Sequence, residues 1–145
     1  MSHINLDTLY RQVIMDHYKH PRNRGTFDDD HLSVEMNNPT CGDRIHLQFK
    51  LDGDVVEDVR FTGEGCSISL ASASMMTQAI KGKKIDEALY MSELFSRMML
   101  GQEIDFEEFG LEDIEALQGV ANFPARIKCA TLAWKAMEKM KQKED

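Results

Sequence analysis

Arg44-Ile45-His46-Leu47-Gln48-Phe49-Lys50-Leu51-Asp52-Gly53 is the stretch on which the fold turns. Ile45, Leu47, Phe49 and Leu51 alternate with Arg44, His46, Gln48 and Lys50, the period of a strand with one face buried. Asp52-Gly53 closes the stretch with a hairpin signal, because a type I′ turn needs positive φ and glycine supplies it cheaply. Val55 to Thr62 reads as the returning strand. Upstream, Asp28-Asp29-Asp30 reads as loop and Leu32, Val34 and Met36 alternate, giving an earlier strand. Three consecutive strands predict an antiparallel meander with one buried face.

On either side the period changes to that of a helix. Leu6, Leu9, Tyr10, Val13, Ile14 and His17 recur at helical spacing, with Asn5 or Asp7 as cap and Pro21 as stop. His17, Lys19, His20, Arg22 and Arg24 make the far end basic, either as a solvated terminus or as a docking surface. From Ser67, Ile68, Ala71, Ser72, Met75 and Ala79 mark a helix ending near Gly82. Its small residues Ala71 to Ser74 allow close packing. Ile85, Leu89, Phe95, Met98 and Met99 mark another helix up to Gly101, with methionines as adaptable core filling. Glu103 to Glu115 reads as a loop and a short helix with solvated charges. Ile127, Ala130, Trp134 and Met137 form a stripe on a C-terminal helix opened by Pro124. The expected fold is α+β over residues 1–145 as one domain, a three-stranded antiparallel sheet packed on one face by the N-terminal and C-terminal helices.

Bulk properties exclude several functions. The 145 residues are 42% hydrophobic and 29% charged, an ordinary globular balance. A net charge of −8 disfavours nucleic acid and anionic membranes as partners. No apolar run is long enough to span a membrane. Three cysteines are an odd number for a disulfide framework, and this predicts reduced thiols in the cytoplasm.

The chemistry-bearing residues sit at turns and helix starts. Asn37-Asn38-Pro39-Thr40-Cys41-Gly42-Asp43 sets a thiol and a carboxylate two residues apart on a Pro/Gly-punctuated turn. Cys66 follows Gly63-Glu64-Gly65 and opens a helix. Cys129 lies close after Pro124, three residues beyond Arg126, and i,i+3 residues share a helix face. Helix N-termini and a neighbouring arginine favour thiolates, the form that binds metal. Cys41, Asp43, Cys66 and Cys129 would together make a tetrahedral S₃O set for zinc. Spacing by itself leaves a second reading open, with Cys66 and Cys129 as small buried residues. His46, on the polar side of its strand, reads as a surface residue.

Asn38-Pro39-Thr40-Cys41-Gly42-Asp43, Gly63-Glu64-Gly65-Cys66-Ser67-Ile68-Ser69 and Phe123-Pro124-Ala125-Arg126-Ile127-Lys128-Cys129 resemble the three cysteine motifs of the IscU/SufU (NifU N-terminal-like) family of iron–sulfur assembly proteins. The resemblance covers nearly the whole chain and is strongest to the SufU branch. Lys128 stands where IscU-type chains carry histidine, and Leu94 to Gly110 fits the insertion of SufU-type chains. The resemblance implies zinc on Cys41, Asp43, Cys66 and Cys129, and sulfur received from a PLP-dependent cysteine desulfurase of the SufS type. It further implies that Cys41 leaves the zinc when a desulfurase histidine takes its place, and that the freed thiolate attacks the terminal sulfur of the persulfide. Arg126 would hold that thiolate by charge. The competing readings are a scaffold for a labile, transient iron–sulfur cluster, passed to downstream assembly components and apo-proteins, and a structural zinc module for protein interaction.

Overall fold

The computed structural model describes residues 6–28, 32–39, 42–110 and 112–144. Asn5, Asp29, Asp30, Thr40 and Cys41 lie outside the described residues. Strands β1 (Leu32–Asn38), β2 (Asp43–Asp52) and β3 (Val55–Glu64) form an antiparallel sheet in the order β1-β2-β3. Helix α1 (Leu6–Lys19) precedes it; α2 (Ser67–Ile80), α3 (Ile85–Met99) and α4 (Pro124–Glu144) follow. Between α3 and α4 the chain makes two 3-10 segments, Phe106–Phe109 and Glu112–Asn122.

The expected alternation holds. Ile45, Leu47 and Phe49 of β2 are buried, and Val34 and Phe61 flank Leu47 in the register Val34↔Leu47↔Phe61. Helix α4 lies across β1 and β2, and α2 lies against β3. On β3 the buried residues Val56 and Val59 have opposite parity. A register shift between Lys50 and Leu51 resolves this, since Lys50 pairs with Asp58 and Leu51 with Val56. The extra residue on β3 is a bulge that turns both valines to the core. At the hairpin Gly53 has φ 60°, while Asp54 is not a positive-φ residue. Positive φ at the first central position alone is the II′ pattern, rather than the expected I′.

The small residues of α2 do what their size predicts. Ser72 donates its hydroxyl to the Ala130 carbonyl (2.6 Å) and accepts from Trp134 Nε1 (3.1 Å), fixing α2 against α4. Trp134 also stacks on Phe95, with centroids 4.8 Å apart. Among the described residues, no helix is long and apolar enough to cross a membrane.

Two further expectations are overturned. His17 is fully buried rather than part of a solvated basic end. Its Nε2 meets Asp113 Oδ2 at 2.7 Å and its Nδ1 meets Ser74 Oγ at 2.8 Å, while Arg22 N–H donates to the same hydroxyl. A carboxylate only accepts, so Nε2 carries a hydrogen toward Asp113. Nor are all the acidic charges of 103–115 solvated. Besides Asp113, Glu115 accepts from the Tyr10 hydroxyl (3.1 Å). A buried polar ring needs partners, and His17 finds them 57 and 96 residues away, where no local pattern reveals them. Beyond His17 the basic end is as expected: Lys19 and His20 are exposed, and Arg22 pairs with Asp16 at 2.7 Å.

Candidate metal centre

Three elements meet at the end of the sheet where β2 begins. Asp43, the first residue of β2, is buried. Cys66 is the N-cap of α2, and Cys129 lies fully buried in the second turn of α4. One donor atom from each lies within 4.8 Å of the others. The link between Asp43 and Cys66 is direct, because Asp43 Oδ1 accepts the Cys66 backbone N–H at 3.0 Å. The first turn of α2 has no acidic residue, so this carboxylate serves as the anion at the helix start. Cys66 Sγ lies 3.7 Å from Ser69 Oγ, whose own hydrogen is committed to the Cys66 carbonyl (3.0 Å).

Gly65 makes the close approach possible. A β-carbon there would run into Asp43 Oδ1 and stand 2.5 Å from Ser69 Oγ. Only glycine lets the carboxylate, the helix start and Ser69 converge.

Arg126 closes the site on the exposed side. Its hydrogen bond with Cys129, and then the charge of Cys66, hold its guanidinium protonated even more firmly than usual. Ionised together, the three donors would repel one another: at a spacing of 4.8 Å and an effective dielectric of 20, each pair would cost about 3.5 kcal/mol. Asp43 Oδ2 is buried with no hydrogen-bond partner among the described residues, an arrangement that is costly unless something binds there. Two thiolates and an orphaned carboxylate oxygen facing one point are the chemistry of a divalent, thiophilic cation, and zinc fits. Thiolates equally suit iron–sulfur clusters.

Of the predicted set, Asp43, Cys66 and Cys129 are brought together, with Arg126 beside them. Cys41 lies outside the described residues; its neighbour Gly42 (φ 74°) donates its N–H to the Asn38 carbonyl at 2.8 Å, joining the two sides of the turn. His46 is half-buried on the sheet face opposite Asp43, away from the donors. Sequence reasoning missed the packing role of Gly65 and the support from Ser69. It also missed Asn38, whose register partner is Asp43 and whose buried Nδ2 has no partner among the described residues. A groove of about 580 Å³ flanks the site, lined by Tyr10, Ile14, Ser67, Ile68, Val120 and Phe123. Phe123 is exposed at its rim.

The helix–meander–helix fold and this thiolate/carboxylate centre define a class. The chain belongs to the NifU-like N terminal domain family, whose model matches residues 9–130. Within it, the chain is 70% identical to the zinc-dependent sulfurtransferase SufU of Bacillus subtilis over 97% of this chain and 95% of that one. It is 49% identical to the iron–sulfur cluster assembly scaffold protein IscU of Streptococcus pyogenes, over 95% of this chain and 86% of the relative. Among solved structures, one from the thermophile Fervidobacterium islandicum superposes with a TM-score of 0.83 at 40% identity. That match covers 90% of this chain and 95% of the other, a protein provisionally described as an iron–sulfur cluster assembly scaffold for a SUF system.

Proposed function

We propose that this chain is a zinc-dependent sulfur acceptor of iron–sulfur cluster biogenesis. It takes persulfide sulfur onto Cys41 from a PLP-dependent cysteine desulfurase of the SufS type and stimulates that enzyme. The observation that carries this reading is the convergence of Asp43, Cys66 and Cys129 within 4.8 Å, around a buried carboxylate oxygen with no hydrogen-bond partner among the described residues. The 70% identity to a zinc-dependent sulfurtransferase supports it.

Cys66, Cys129, Asp43 and Cys41 would hold the zinc. When bound, the ion supplies positive charge that keeps thiol ligands deprotonated near neutral pH. Asp43, Cys66 and Cys129 are fixed by β2, α2 and α4, and Cys41, two residues before Asp43 in the sequence, is assigned as the exchangeable member. As a thiolate, Cys41 attacks the terminal sulfur of the desulfurase persulfide. A new S–S bond forms at Cys41 as the desulfurase S–S bond breaks, and the desulfurase cysteine departs as thiolate. Arg126, exposed and firmly cationic, stabilises the negative sulfur. The groove beside Ser67 and Phe123, together with the site rim, gives a desulfurase a surface to dock on. Downstream iron–sulfur assembly components would then take the sulfur, in the cytoplasm.

The scaffold reading keeps one specific support, the identity to an IscU scaffold at 49%. Metal and sulfide analysis of the purified chain, followed by desulfurase turnover with cysteine, separates the two. Zinc without visible absorption, faster desulfurase turnover and loss of sulfur acceptance in Cys41→Ala are the expected results. Iron and sulfide handed to an apo-acceptor would establish the scaffold instead, and persulfide transfer retained in Cys41→Ala would sink the mechanism.

A further inference from the structure

Helix α2 buries four hydroxyl side chains, and three of them join it to the rest of the fold. Ser72 bonds Ala130 and Trp134 of α4, Ser74 bonds His17 and Arg22, and Thr77 accepts from Asn23 at 3.2 Å. Ser69 is the exception. It is 0% exposed, yet among the described residues its hydrogen bonds all return to Cys66, at the carbonyl (3.0 Å) and at Sγ (3.7 Å).

The helix does not need the carbonyl contact. Cys66 is the N-cap residue, and its carbonyl already accepts Leu70 N–H at 3.2 Å as the first intrahelical bond. Nor does packing call for a hydroxyl, because Ala71 and Ala73 fill neighbouring buried positions of α2. Withdrawing a hydroxyl from water is unfavourable unless a hydrogen bond offsets it. The remaining partner is the sulfur of the metal-facing cysteine. Ser69 also borders the carboxylate, since a β-carbon on Gly65 would stand 2.5 Å from Ser69 Oγ while crowding Asp43 Oδ1.

With its hydrogen on the carbonyl, Oγ turns a lone pair to Sγ, which suits a thiol that donates S–H. A metal-bound cysteine is a thiolate and can only accept. A serine hydroxyl turns about its Cβ–Oγ bond without moving the backbone, and the carbonyl it leaves keeps Leu70.

We propose that Ser69 is a positioning residue of the metal centre, whose hydroxyl donates to Cys66 Sγ when that sulfur holds the metal. The bond fixes the direction of the sulfur toward Asp43 and Cys129 and draws electron density from it. The inference rests on the zinc reading of the proposed function. Losing such a hydrogen-bond partner weakens metal binding about 10–100-fold in metal sites generally.

The test uses the full chain, unaltered and as Ser69→Ala and Ser69→Thr, stripped of metal and reloaded with zinc or, as an optical probe, with cobalt(II). Chelator competition reads the zinc affinity, and absorption reads the sulfur-to-cobalt charge-transfer band. Ser69→Ala binds zinc about tenfold more weakly. Its cobalt band moves to longer wavelength, because a thiolate without its hydrogen bond gives up charge to the metal more easily. Metal-free Ser69→Ala unfolds at nearly the unaltered temperature, since the Cys66 carbonyl keeps Leu70. Ser69→Thr keeps the hydroxyl and recovers both readouts. An unchanged zinc affinity in Ser69→Ala, or a band that does not move, overturns the proposal and makes Ser69 a packing residue. So does a Ser69→Thr chain that unfolds at the unaltered temperature yet recovers neither readout. If the unaltered chain itself shows no sulfur-to-cobalt band, thiolate ligation fails and the zinc reading with it. If the unaltered chain shows the band and Ser69→Ala matches it, this inference alone fails.

Discussion

Replacing Gly65 by alanine adds one methyl group and should disable the metal centre. The new β-carbon would occupy the space of Asp43 Oδ1 and press on Ser69 Oγ at 2.5 Å. Neither neighbour yields cheaply. Asp43 is 1% exposed and Ser69 0%, and Ser69 Oγ is tied to the Cys66 carbonyl. The carboxylate must swing away, breaking its 3.0 Å hydrogen bond with Cys66 N–H. A hydrogen bond to a charged acceptor contributes about 1.5–3 kcal/mol, and the freed N–H at the start of α2 is left without its partner. A loss of about 2–3 kcal/mol in the metal-free protein follows, which for a chain of this length lowers the unfolding temperature by about 6–12 °C. Zinc binding should suffer further, because Oδ2 moves with Oδ1. Thermal unfolding by circular dichroism and a chelator competition titration measure the two effects. An unchanged midpoint together with an unchanged competition curve would refute the idea that Gly65 exists to seat Asp43.

Other substitutions test separate parts of the structure. His17→Leu should cost about 2–3 kcal/mol in urea unfolding, since it removes both the Ser74 and the Asp113 contacts of a fully buried ring. Trp134→Phe loses the bond to Ser72 and part of the stack on Phe95, which should destabilise by about 1–2 kcal/mol while zinc content stays the same. Arg126→Ala, at an exposed position, should leave the unfolding midpoint nearly unchanged while slowing sulfur acceptance by Cys41; an unaltered transfer rate removes its assigned role. Asp16 is held below the usual carboxylate range, chiefly by the hydrogen bond from Arg22. Its folded-state value is the lower one, so its contribution is present above the ordinary carboxylate range and lost as pH falls through the depressed value. Asp16→Asn should therefore lower stability slightly at neutral pH, leave it unmoved below the depressed value, and so flatten the acid end of a stability–pH curve.

Local chemistry made much of this protein legible in advance. Period-two alternation from Arg44 to Leu51 and the glycine at 53 determined the hairpin, since a strand facing a core on one side has no other way to be written. Helical spacing from Leu6, from Ser67 and from Pro124 determined the packing helices, and the three cysteine motifs determined the family. The tertiary structure decided what depends on atoms far apart in the chain. It alone buried His17 against Ser74 and Asp113, and it alone placed a bulge so that Val56 and Val59 share a face. It drew Asp43, Cys66 and Cys129 to within 4.8 Å, a distance no spacing encodes. It also left Asn38 and Asp43 each with a buried atom that finds no hydrogen-bond partner among the described residues. Periodicity records which face of an element avoids water, but a site is made where separate elements cross, and that crossing is set by packing of the whole core.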